Sequence, residues 1–160
     1  MFLQLYKALV RPHLEYANVI WHPQFKRQSQ LIEKVQRRAT KILCDIKDYS
    51  YQERLLALNL PSLKYRRLRA DLIQTFKIIH DIDNINVEDF FKFCNYKTRE
   101  QDLKLYKSYA RTNTRYNFFC NRVVNKWNYL SASTRRAPSI NSFKKGVDHD
   151  LSHLQFDFDD

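Results

Sequence analysis

One glycine in 160 residues is the strongest constraint on what this chain can fold into. Tight turns with positive φ are made cheaply only by glycine, so sandwiches and barrels, which need many such turns, are poorly served here. Gly146 stands alone, and the four prolines (Pro12, Pro23, Pro61, Pro138) punctuate rather than fill the chain. The apolar share of 44% and the plentiful aromatics are those of a chain that buries a core. A mainly α fold follows.

Hydrophobic periodicity places the helices. Phe2, Leu3, Leu5, Leu9 and Val10 recur at helical spacing, and Pro12 suits the first turn of a second piece carrying Leu14, Tyr16, Val19, Ile20 and Trp21. Between Lys26 and Cys44, Leu31, Ile32, Val35, Ala39, Ile42 and Leu43 fall on one arc of roughly 120°. Lys34, Arg37, Arg38 and Lys41 fall on another arc of about 100°. The apolar arc is expected to be buried and the cationic arc to face out. Ser50 with Glu53 is a capping-box pattern opening a helix from Tyr51 to Leu58. After Pro61 another helix is expected, Ser62 to Asp81, with Leu68, Leu72, Phe76 and Ile79 on one side. Its first turns carry Lys64, Arg66, Arg67 and Arg69, which oppose the helix macrodipole. Both cationic groups cost local stability, and a polyanion along these faces would give that cost a purpose.

The stretch Asp81–Glu88 reads as a polar loop, followed by a short turn from Val87 to Phe93. Residues 96–116 lose helical periodicity, which leaves room for a small β-hairpin near 99–116. Tyr106, Tyr109 and Tyr116 alternate there with Lys and Arg. Such a mixture suits stacking on single-stranded nucleic acid. An edge hairpin guarded by lysines explains the same pattern, and it is the working expectation. Helix returns from Tyr116 to Leu130, with Phe119, Val123, Trp127 and Leu130 as its stripe. A last helix runs from Ser139 through Phe143 and Val147 to Leu151, and the acidic end FDFDD is expected to fray. The expected division is a basic helical part over 1–81 and a second part over 82–160.

The net charge is +11, with the excess in the first half: +9 over residues 1–80 (15 Lys+Arg against 6 Asp+Glu) and +2 over 81–160 (13 against 11). A basic surface attracts nucleic acid or an anionic membrane. The opening MFLQLYKALV is interrupted by Lys7 and is too short to span a bilayer, so no membrane role is expected. Cys44, Cys94 and Cys120 are odd in number and form no CxxC, against a disulfide framework and a zinc site and in favour of an intracellular, nuclear or cytoplasmic setting. One glycine excludes a glycine-rich phosphate loop, and GxSxG and HExxH are absent. His149 and His153 lie at i,i+4 beside Asp148 and Asp150, but two histidines leave a metal site incomplete. The only Asp-Asp pair, Asp159–Asp160, is terminal and unsuited to holding two Mg²⁺ ions. No catalytic residue, metal or cofactor is assigned, and the chain is expected not to be an enzyme by itself.

Five blocks go further. LYKALVRPHLEYANVIWHP (Leu5–Pro23), IEKVQRRATKIL (Ile32–Leu43), YQERLLALNLPSLKYRRLRADLIQTFKII (Tyr51–Ile79), FFCNRVVNKWNYL (Phe118–Leu130) and APSINSFKKGVD (Ala137–Asp148) follow one another along nearly the whole chain. Together they resemble the thumb and post-thumb region of jockey-like non-LTR retrotransposon reverse transcriptases, which are RNA-directed DNA polymerases of transposable elements. The resemblance implies a helical, thumb-like bundle, with the endonuclease, fingers and palm lying in an upstream part of a longer protein. It also implies that the catalytic aspartates and their Mg²⁺ belong to that palm. RNA template or RNA–DNA hybrid is then the expected partner. The expected contacts, Lys34, Arg37, Arg38, Lys41, Lys64, Arg66, Arg67 and Arg69, are inferred from charge placement and not from the family. A structural buttress without nucleic-acid binding, or a truncated element copy, is the alternative. The chain departs from the family's usual Leu-Pro after the Trp-Asn block, having Leu130–Ser131.

Overall fold

Among the described residues the helical pattern read from the sequence is realised in short pieces around two long helices. The computed structural model describes residues 2–43, 46–94 and 103–158. Its helices are α1 (Phe2–Leu5), continuing through a π-helical turn at Tyr6–Val10 into α2 (Arg11–Glu15), then α3 (Asn18–Trp21), α4 (Lys26–Lys41), α5 (Tyr51–Ala57), α6 (Leu63–Ile79), α7 (Asn113–Asn117), α8 (Phe119–Arg122), α9 (Val124–Tyr129), α10 (Ala132–Arg135) and α11 (Ile140–Asp150). Pro12 lies in the first turn of α2, directly after the π-helical turn. Ala17, at φ 50°, turns the chain between α2 and α3. The capping box is present, with Ser50 N–H donating to Glu53 Oε2 (2.7 Å) and Glu53 N–H to Ser50 Oγ (3.3 Å).

The chain divides into two compact units, Met1–Arg67 with His153–Asp160, and Leu68–Ser152. This is not the division expected at 81/82. The last residues belong with the first unit because they dock there. Ser62 N–H donates to Gln155 O (2.8 Å), Ser62 Oγ donates to Asp157 O (2.5 Å), and the Phe158 ring meets Tyr51 edge-on at 4.9 Å. Phe156 and Phe158 pack on the cluster of Tyr51, Leu55 and Leu60. The expectation of a frayed FDFDD end therefore fails over its described part, because its two phenylalanines have apolar surface to cover.

In the second unit the expected stripes meet. Leu72 and Phe76 of α6, Phe119 of α8, Val123 and Trp127 at α9, Leu130, and Phe143, Val147 and Leu151 of α11 are all buried. Phe76 stacks on Phe143 at 4.3 Å, and Trp127 lies 5.8 Å from Phe143. Leu68 and Ile79, expected on the same side of α6, are only half-buried. The single helix expected over 116–130 is broken into α7, α8 and α9. Arg122 fits one join, since its guanidinium, held bidentately by buried Asp71 (2.8 and 2.9 Å), donates to the Asn117 carbonyl at the end of α7 (3.1 Å). After Leu130, Ser131 uses both groups a proline would lack. Its Oγ accepts the Thr134 N–H (3.3 Å) as the N-cap of α10, and its own N–H donates to Asp150 Oδ2 (2.9 Å).

No strand occurs among the described residues of the hairpin expected near 99–116. Residues 99–102 lie outside the described residues. From 103 onward there is one isolated antiparallel bridge, Phe93 to Leu105, and then irregular chain leading into α7. Leu105 already has its ladder partner in a side chain. Its N–H donates to Asn128 Oδ1 (2.9 Å), and Asn128 Nδ2 donates to its carbonyl (2.8 Å).

The one glycine is needed for a close approach and not for a turn. A Cβ at Gly146 would sit 2.5 Å from Thr134 Oγ1, 2.8 Å from its Cγ2 and 3.0 Å from its Cβ. In an exposed helix, glycine to alanine gains about 1 kcal/mol. Here Gly146→Ala is expected to destabilise by about 1–3 kcal/mol, because β-branched Thr134 has little rotamer freedom to give way. Urea denaturation checks this, and Thr134→Ala in the same chain should recover part of the loss by removing the two nearest atoms.

Candidate nucleic-acid interface

The orientation of α4 decides which cations can meet a ligand, and a polar seam sets that orientation. Ser29, Glu33, Gln36 and Thr40 recur at i, i+4, i+7 and i+11, and all four are buried. Each has a partner inside the first unit. Tyr6 OH donates to Gln36 Oε1 (2.8 Å), and Gln36 Nε2 donates to Pro61 O (3.1 Å) and Tyr51 OH (3.3 Å). Tyr51 OH donates to Glu33 Oε1 (2.5 Å), and the Leu63 N–H at the start of α6 donates to Glu33 Oε2 (3.1 Å). Arg54 Nε donates to Thr40 Oγ1 (3.2 Å), and Arg67 Nη2 donates to Ser29 Oγ (2.7 Å). Burial of polar groups is tolerated because their hydrogen bonds are replaced one for one.

The consequence overturns one expectation. The arc of Leu31, Ile32, Val35, Ala39, Ile42 and Leu43, read as the buried face, is not the interior face: Ile32, Ala39 and Leu43, on the side next to the seam, are only half-buried, and the other three are exposed. Leu31 is 53% exposed, Val35 38% and Ile42 56%. Periodicity found the faces of α4 but assigned the wrong one to the interior, because the seam residues repeat at the same helical spacing as the apolar ones.

The eight cations singled out in the sequence separate into two groups. Lys34, Arg38 and Lys41, at i, i+4 and i+7, are exposed on α4 and make no ion pair among the described residues. The other five are engaged within the protein. Arg37 lies over the Tyr51 ring (4.8 Å) and the Phe158 ring (4.9 Å). Arg66 grips Glu15 with both nitrogens of its fork, one bond being 2.7 Å. Lys64 pairs with Asp157 (3.0 Å), Arg69 holds Asp148 bidentately (2.6 and 2.8 Å), and Arg67 is buried against Ser29 and the charge of Glu33. The cations at the start of α6 are thus balanced by carboxylates distant in sequence, which explains how that helix tolerates them against its dipole.

Averages over the two halves hid a third basic feature. Between Leu103 and Val147 there are ten Lys and Arg and no Asp or Glu. Arg122 and Arg135 are taken up internally, Arg135 by the carbonyl of Leu130 at the end of α9. Arg111, Arg115, Lys126, Arg136 and Lys145 are exposed. A sliding charge count over about forty residues would have found this stretch.

Among the described residues no group of three His, Cys, Asp or Glu could hold a metal ion, and no helix is long and apolar enough to cross a membrane. Cys94 and Cys120 are free, and burial pushes the Cys120 thiol above its ordinary range. The chain matches no protein-family model, no curated protein and no solved structure.

Burial raises the Glu33 carboxyl above the ordinary glutamate range, although the Tyr51 hydroxyl, the Leu63 N–H and Arg67 all pull it down. The folded chain therefore binds this proton more tightly than the unfolded chain. Its contribution to stability is full below the ordinary glutamate pKa and is lost as pH rises through the raised value. Glu33→Gln should flatten that part of the stability profile, measured by urea denaturation from pH 4 to 8. Glu33→Ala should cost about 2–4 kcal/mol throughout by stranding the Leu63 N–H and the Tyr51 hydroxyl. Identical pH slopes in wild type and Glu33→Gln would refute the assignment.

Proposed function

We propose that the chain is a non-catalytic C-terminal segment of a retrotransposon reverse transcriptase, binding the backbone of RNA template or RNA–DNA hybrid through α4. The observation that carries the binding part is the triplet Lys34, Arg38 and Lys41, exposed on one helix face with no ion pair among the described residues. Seven residues of helix span about 10 Å. One strand of a duplex presents a phosphate every 3.4 Å or so along its axis, so the triplet is commensurate with about three phosphates. The five sequence blocks supply the polymerase context. Polymerisation itself, with its Mg²⁺, would belong to a palm in another part of such a protein.

Lys64, Arg66, Arg67, Arg69 and Arg37 serve this reading as scaffold. To reach a phosphate they would first have to leave a carboxylate, a buried hydroxyl or two aromatic rings.

A second reading is favoured by a separate observation. Large apolar side chains of the first unit lie open, Leu9, Ile20 and Phe25 in addition to Leu31, Val35 and Ile42. Surface of this kind marks a protein contact. A segment that only buttresses a palm would present it.

Affinity for an RNA–DNA hybrid, followed by fluorescence anisotropy from 50 to 200 mM salt, separates the two. Replacing Lys34, Arg38 and Lys41 together by glutamine is expected to reduce the magnitude of the slope of log K against log salt by about 2–3. Arg69→Gln should lower stability and leave the slope unchanged. An unaltered slope in the triple variant favours the buttress. Primer–template, dNTPs and Mg²⁺ incubated with the chain alone should give no extension, and any extension would overturn the non-catalytic assignment.

A further inference from the structure

The second unit holds a set of exposed rings that the proposed function leaves unused. Tyr106 is 55% exposed, Tyr109 90%, Tyr116 50% and Phe118 52%. Exposed aromatics on a mobile loop would mean little, but these are mounted on fixed points. At one end, Tyr106 N–H donates to Lys92 O (2.7 Å), Cys94 N–H to Lys104 O (3.0 Å), and the Trp127 indole to Leu103 O (2.7 Å), while Asn128 brackets Leu105. At the other end, Thr112 caps α7 through the Arg115 N–H (3.2 Å). Asn121 Nδ2 donates to Arg115 O (3.0 Å), and Arg122, locked to Asp71, donates to Asn117 O (3.1 Å). Lys107 Nζ sits 4.6 Å from the Tyr116 ring centre and so draws the irregular segment towards α7. Arg115 lies over Phe118 at 5.6 Å.

Without a strand ladder in this segment, the lysines have no sheet edge to guard. The local charge is also one-sided. Lys104, Lys107, Arg111 and Arg115 accompany the rings, and no acidic residue occurs from Leu103 to Val147. A ligand suited to this surface must be anionic along its length and must offer flat faces at intervals.

We infer that Tyr106, Tyr109, Tyr116 and Phe118, with Lys107, Arg111 and Arg115, form a stacking platform for single-stranded nucleic acid. Bases stack on the ring faces left open, while Arg111 meets phosphate directly and Lys107 and Arg115, each already over one ring, meet it from the edge of the stack. A paired duplex hides its base faces and gains little here, so the platform selects single strands where α4 accepts a hybrid. The inference shares its ligand class with the proposed function but uses none of the same residues.

The test uses the full chain and two fluorescein-labelled probes, oligo(dT) and a blunt RNA–DNA hybrid. Tyr109→Ala with Tyr116→Ala is expected to weaken oligo(dT) binding about tenfold or more. Hybrid affinity should change less than twofold, and the phenylalanine versions of both positions should retain oligo(dT) binding. Tyr109→Ala alone guards against misfolding, since that side chain is almost fully exposed, and should give the same direction of change with an unaltered circular dichroism spectrum. The glutamine triplet on α4 should do the reverse, weakening hybrid and sparing oligo(dT). Wild-type affinity in the alanine variants would overturn the inference, as would no oligo(dT) binding at low salt. So would a loss seen only when Arg111 and Arg115 are replaced by glutamine, which would mean plain polyanion attraction, or binding confined to anionic vesicles.

Discussion

The buried carboxyl of Glu33 is the point on which the first unit turns. It receives the Tyr51 hydroxyl from α5 and the first N–H of α6, and it faces the charge of Arg67. Gln36, one turn on, joins α4 to Tyr6 and to the Pro61 carbonyl. Three separate stretches of chain are thus referenced to one helix by hydrogen bonds that accept little misplacement. An apolar stripe in the same place would have held α4 with more tolerance of rotation. A polar seam fixes its rotation, and the side chains opposite, Lys34, Arg38 and Lys41, are consequently held towards solvent.

That constraint also changes how the cations should be counted. Sequence alone treats every lysine and arginine as one unit of positive surface. In the folded chain Arg66, Arg69 and Lys64 are cancelled by Glu15, Asp148 and Asp157, and Arg67 is withdrawn from the surface. The bidentate arginines are structural crosslinks between segments distant in sequence. Interfaces for polyanions are built from the cations left over after such pairing, which is why α4 carries the functional argument and the start of α6 does not.

What could be read from the sequence was mostly what local rules determine. The Ser50–Glu53 box, Ser139 as the cap of α11, Pro12 in a first turn, and the stripes Phe119–Val123–Trp127–Leu130 and Phe143–Val147–Leu151 are all realised. What failed depended on partners far along the chain. The burial of Glu33 and Gln36 rests on Tyr51, Leu63 and Tyr6, none of which a helical wheel contains. The docking of Phe158 depends on Tyr51 and Arg37, so a terminus judged by its acidity was misread. The described part of the expected hairpin fails for the same reason, since Asn128 takes the place of a strand beside Leu105.

The candidate site was partly legible for a related reason. Lys34, Arg38 and Lys41 stood out because a helix face is a local pattern. The aromatic segment was legible as rings mixed with cations but was assigned to an edge hairpin, and a charge count over half the chain hid how one-sided it is. Screening acts over about 8–10 Å at ordinary salt, so the charge that a ligand meets is set by near neighbours and not by the total over eighty residues. Along the sequence, Leu103–Val147 carries ten cations and no carboxylate although its half of the chain is nearly neutral. The two basic surfaces also differ in kind. A rigid row of cations without rings suits a duplex backbone, and rings interleaved with cations suit exposed bases.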